Sequence, residues 1–152
     1  MSRLIVLAVV LSIGSVDAQS ASFTPLGALA GRDTSLATGV SADGSVVVGT
    51  SSSLIMGEAA FRWTRTGGMV LAFDPATHLG VVFDRGFGIS GDGSVMVGKG
   101  GFPAVYAVRW SGSNSLLNLG TLPSGVQSRA YGVSADGSTV VRRLTSVLQK
   151  RG

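Results

Sequence analysis

The sequence predicts an all-β chain made of tandem four-stranded antiparallel units. Two observations carry this. Asp-Gly pairs recur at residues 43, 92 and 136, each inside the same longer motif, and the composition is rich in Gly and β-branched residues with no convincing helical period. The 152 residues suit one ordinary domain. With 45% hydrophobic and only 13% charged residues, the chain is not a disordered one.

The first segment reads as an address. Arg3 supplies a positive start, Leu4 to Val16 form an apolar run, and Val16-Asp17-Ala18 ends in the small residue a cleavage site requires. A run of 13 residues is too short for a stable bilayer-crossing helix, which needs about 20. Residues 1–18 are therefore expected to be a signal peptide and Gln19–Gly152 the mature chain, secreted to an extracellular or periplasmic location. No transmembrane segment is expected in the mature chain.

Residues 19–141 form the repeat region. Gly39-Val-Ser-Ala-Asp-Gly-Ser-Val-Val-Val-Gly49 returns as Gly88-Ile-Ser-Gly-Asp-Gly-Ser-Val-Met-Val-Gly98, and again as Gly132-Val-Ser-Ala-Asp-Gly-Ser-Thr-Val-Val141. A second element, Ala60-Phe-Arg-Trp-Thr64, returns as Ala107-Val-Arg-Trp-Ser111, and Pro25-Leu-Gly-Ala-Leu29 is echoed by Asn118-Leu-Gly-Thr-Leu122. Each Asp-Gly between apolar flanks predicts a two-residue hairpin of type I′, whose central residues need positive φ. Val46-Val47-Val48 suits a strand buried on both faces. Glu58–Thr64 is read as a third strand with Phe61 and Trp63 on one face and Arg62 on the other, and Gly68–Phe73 as a fourth. The second unit runs through Phe83–Ser90, Ser94–Gly98, Val105–Ser111 and Ser115–Leu119, with residues 76–82 as an irregular insertion. Four short strands in roughly 40–50 residues is the size of one propeller blade. The expected architecture is an incomplete β-propeller-like array of about two and a half units.

At these motifs the chain resembles the extracellular HAF repeat family, whose units carry A-x-G-V-S-A-D-G-S-V-V-V-G followed by a short A-F-R-W strand. Residues 37–49 with 60–64 fit closely, and residues 131–141 fit in their first half. The resemblance implies an exported bacterial repeat protein, in some cases tied to the cell surface, and it implies no particular activity.

Residues 142–152 depart from the pattern as a basic non-repeat tail. Arg142, Arg143, Lys150 and Arg151 account for the whole net charge of +4, because the repeat region is formally neutral. A basic end of this kind reads as a solvated tail, so no nucleic-acid partner is expected. Interruption inside a second strand suggests a truncated product. An open array leaves sheet edges that invite self-association.

The candidate chemistry is thin. Asp43, Asp92 and Asp136 occupy equivalent turn positions and are read as turn residues, since calcium loops need several alternating oxygen ligands. Trp63 and Trp110 are read as core residues between units rather than as sugar platforms. Arg62 and Arg109 are expected to pair with acids between units, with an anion in a central channel as the alternative. His78 is the only histidine, and with Asp74 and Asp84 it lies in or beside the non-repeated insertion, where loop function is most expected. Gly98-Lys-Gly-Gly101 lacks the spacing of a phosphate loop. No cysteine is present, which removes disulfides and thiolate chemistry. The expectation is a non-enzymatic binding or surface scaffold with no catalytic, cofactor or metal site. The alternatives are a fragment of a propeller-type carbohydrate-active enzyme or a non-functional remnant.

Overall fold

The computed structural model describes residues 23–73, 83–101, 104–112, 115–123 and 125–146, and among these there are ten strands and no helix. The first sheet contains β1 (Thr34–Val40), β2 (Val46–Ser53), β3 (Gly57–Thr64) and β4 (Gly68–Leu71), in that spatial order. The second repeats it with β5 (Arg85–Ile89), β6 (Val95–Gly100), β7 (Tyr106–Ser111) and β8 (Ser115–Asn118). The third is the hairpin β9 (Gly125–Val133) with β10 (Val140–Ser146). All neighbours are antiparallel. The fold class read from the sequence, all-β with tandem four-stranded units, is the one observed. Strand pairing in β10 runs past the point where the repeat sequence ends, with Arg142 opposite Ala130 and Arg143 opposite Arg129. Residues 1–18, read from the sequence as a signal peptide, and residues 76–82 lie outside the described residues.

The repeat fixes the backbone down to its irregularities. The first strand of each unit is bulged at the same repeat position, since pairing skips Thr38, Phe87 and Tyr131 in turn. Each bulge inserts an unpaired residue and turns its side chain away from the alternating pattern.

One correction concerns the Asp-Gly turns, which are not two-residue type I′ hairpins. The Gly44 N–H donates to the Ser41 carbonyl at 3.0 Å, so Ala42 and Asp43 are the central residues of the tight turn. Gly44 follows with a φ of 70°, a conformation that costs glycine nothing. The Ser41 N–H closes the loop on the Val46 carbonyl at 2.9 Å. Val46 does not return the bond to the Ser41 carbonyl; its N–H donates to Ser41 Oγ at 3.0 Å. The serine hydroxyl stands in for a backbone acceptor, and this is why a four-residue loop replaces the shorter one.

The units stack face to face. Val46, Val48, Ala60 and Ala72 on one face of the first sheet meet Met96, Val108 and Trp110 of the second, sealed by Phe73 and Phe83. The equivalent face of the second sheet, Val95, Val97 and Ala107, meets Ala130, Val133 and Val140 of the third. The leading face of the first sheet (Val47, Trp63 and Met69) meets no other sheet among the described residues and is half-buried under Leu29. Burying such side chains contributes roughly 1.5–3 kcal/mol each where burial is complete, so the stack is the main source of stability.

Candidate functional site

Each repeated aspartate is held by its own turn. Asp43 Oδ1 accepts from Ser41 Oγ at 2.6 Å, the Ser45 N–H at 3.0 Å and Ser45 Oγ at 2.8 Å. Asp92 makes the same set with Ser90 and Ser94, at 2.6, 3.0 and 2.9 Å. Asp136 does so with Ser134 and Ser138, at 2.5, 3.1 and 2.9 Å. The neighbouring serine hydroxyl, then the backbone N–H, lowers each carboxyl to about 2. A group so stabilised as its anion has no proton to donate at neutral pH. Three equivalent carboxylates are thus committed to three equivalent loops. Among the described residues, no group of three or more metal-binding side chains gathers.

The tryptophans sit where the two inter-unit faces require them. Trp110 is 7% exposed, inside the core between the first two sheets, and its indole Nε1 is buried with no hydrogen-bond partner among the described residues. Trp63 holds the same place on the chain's first face and is half-buried. Arg62 borders a cleft of about 820 Å³ between the first two sheets, with Phe73, Asp92, Ser94 and Trp110. Among the described residues Arg109 bonds no acid; its Nη2 reaches the Gly137 carbonyl at 3.5 Å, because this position faces the turn of the following unit.

Of the non-repeated trio, Asp74 and His78 lie outside the described residues. Asp84 is partly buried, which raises its pKa, and Lys99 pulls it back. Gly98-Lys-Gly-Gly101 is not a loop: Lys99 lies in β6, with its Nζ 3.9 Å from Glu58 Oε2.

The sequence reading missed a basic and aromatic cleft at the bulged strands. The side chains of Phe87 and Tyr131, both bulge residues, stack with ring centroids 5.0 Å apart and planes 20° from parallel. Together with Arg85, Lys99 and Arg129 they line a cleft of about 370 Å³. Arg85 is engaged by Glu58, with Nε donating to Oε2 at 2.6 Å and Nη2 to Oε1. The Arg85 guanidinium holds the Glu58 carboxyl below its ordinary range. Arg129 differs: among the described residues its Nη2 finds only the Gln127 side-chain oxygen, at 3.4 Å. A guanidinium with free donors beside two aromatic faces suits a carboxylate or sulfate attached to a flat or apolar body. The signal was present in the sequence. Thr38, Phe87 and Tyr131 share one repeat position yet differ in chemistry, while the glycine that follows each is constant.

No family model, curated protein or solved structure matches the chain.

Proposed function

We propose that the chain is an exported, non-enzymatic β-repeat scaffold of the HAF-like, propeller-related kind, and that it binds an acidic ligand at the cleft formed by Phe87, Arg129 and Tyr131. One contrast carries this reading. Side chains at repeated positions are spent on turns and inter-unit cores, whereas the bulge position carries different side chains on the same backbone: Thr38 bonds the Gly86 carbonyl at 2.8 Å, while Phe87 and Tyr131 line a cleft. Loops and bulges on a rigid frame are where recognition is commonly placed.

The binding half is tested by titrating the chain with polygalacturonate, a carboxylate-bearing polysaccharide, and with neutral dextran. Saturable, salt-sensitive binding of the uronate polymer that falls at least tenfold in Arg129→Ala is expected. Equal binding of dextran, or an unchanged affinity in the variant, overturns it. The export half is tested by intact mass of material recovered outside the cytoplasm. Retention of Met1–Ala18 counts against it.

A further inference from the structure

The two ends of the stack are complementary halves of one repeated interface, and we infer that they join head to tail with a second copy of this chain. The joint is independent of the ligand site, since it reuses the contact that the chain already makes twice within itself.

That contact has three recurring parts. The first is a backbone bond between turns. The Ala42 N–H donates to the Gly91 carbonyl at 2.9 Å, and the Gly91 N–H to the Ala135 carbonyl at 2.8 Å. These three residues hold one repeat position, so each turn donates to the next. The second is the seat of the turn glycine. A Cβ on Gly93 would lie 2.8 Å from Val46 Cγ2, and one on Gly137 would lie 2.7 Å from Val95 Cγ2. The third is the valine at the centre of each second strand: Val48 and Val97 are both 0% exposed beneath the following unit.

Every part is unfulfilled at the chain's ends. At the trailing end, the Ala135 N–H has no bond among the described residues, Thr139 stands at the place of Val46 and Val95 with no turn glycine on it, and Val141, the counterpart of Val48 and Val97, is 65% exposed. At the leading end, the Ala42 carbonyl accepts no bond among the described residues, and a Cβ on Gly44 would meet nothing within 4 Å. Trp63 and Met69 there are half-buried where their counterpart Trp110 is 7% exposed. A second copy fits without new chemistry. Its Ala42 carbonyl takes the Ala135 N–H, its Gly44 seats on Thr139, and its Val47, Trp63 and Met69 cover Val141. Such an interface is heterologous: it closes into a ring if the rotation allows and otherwise grows as a filament. Two copies would bring six sheets together, within the roughly four to eight that closed propellers use.

The test uses the full chain and two single-end variants. Val141→Asp blocks the trailing end at an exposed position, and Met69→Lys charges the leading end while the lysine stem keeps its apolar contacts. Circular dichroism and melting temperature confirm that both fold. Sedimentation of the unmodified chain should show concentration-dependent oligomers, and each variant alone should be monomeric. Mixing the two variants should restore a 1:1 complex and nothing larger, because one good head remains for one good tail. A monomeric unmodified chain at 100-fold the working concentration overturns the inference and leaves the ends to another occupant. A variant that still dimerises by itself also overturns it, since that is the mark of an isologous contact.

Discussion

The carbonyl oxygen of Arg85 occupies the space a side chain would need at Gly98. A Cβ there would collide with that oxygen and come within 2.7 Å of the Phe83 ring. Gly49 stands in the same relation to the Leu36 carbonyl, with the Phe61 ring at 2.9 Å. One aromatic ring fills this site in each unit, Phe61 from β3 in the first and Phe83, just before β5, in the second. Because the obstacle is the backbone of a paired strand, it cannot step aside. Gly98→Ala and Gly49→Ala are each expected to cost about 3 kcal/mol, the upper end for overpacked cores. Urea unfolding measures this, and a loss under about 1 kcal/mol would contradict the geometry. Arg142 holds the equivalent place in the third sheet, which has two strands among the described residues, and its guanidinium turns out to the Leu119 carbonyl at 2.7 Å.

Turn serines should differ in cost although their bonds are the same. Ser90 is fully buried, and its Oγ takes the Val95 N–H at 2.9 Å. In Ser90→Ala that buried N–H loses its partner, at a cost of about 1–3 kcal/mol. Ser134 makes the equivalent bond with Thr139 at 2.9 Å, but on the exposed trailing end. Water replaces the hydroxyl there, so Ser134→Ala should cost about 1 kcal/mol or less. Equal losses in the two variants would show that burial does not set the cost.

The fold was legible in the sequence because stacking repeats obey one pattern of residues. Phe61 and Trp63 fall on one face and Arg62 on the other, as alternation requires. Asp-Gly by itself signals a two-residue turn, whereas Ser41 and Ser45 on either side of it complete a longer loop. The cleft was missed for a different reason. Bulges are set by pairing between strands, and only the pairing shows that Phe87 and Tyr131 are carried out of the alternation toward each other.

Acid should weaken the fold, and the direction follows from the carboxyl shifts. Asp43, Asp92 and Asp136 titrate at about 2 in the folded chain, below the ordinary value of 3.8, and Glu58 is lowered by Arg85. Groups lowered by folding stabilise it above their ordinary value and lose that contribution as pH falls toward the folded value. Asp84 is raised by burial, so its contribution runs the other way, one group against four. Melting temperature should be nearly flat above pH of about 5 and fall between about 4 and 2. The drop should be modest because the turn aspartates are exposed and screened by solvent. Asp92→Asn should flatten it; an identical acid limb in that variant would remove the turn carboxylates from the account.

The two tryptophans supply the sharpest check on how the stack is built. Trp110 is 7% exposed between two sheets, so Trp110→Ala should cost about 3–5 kcal/mol. Trp63, its repeat counterpart, is half-buried on the chain's first face, and truncation there removes fewer contacts. Trp63→Ala should therefore cost roughly half as much in the monomer. Phenylalanine separates packing from polarity. In Trp110→Phe the buried indole N–H without a partner is removed, which relieves a burden of about 1–3 kcal/mol and offsets part of the lost volume. Urea unfolding of the three variants at low protein concentration decides the matter. If the chain stacks on itself, raising the concentration should enlarge the Trp63→Ala penalty and leave that of Trp110→Ala unchanged, because only Trp63 has a face still to be covered.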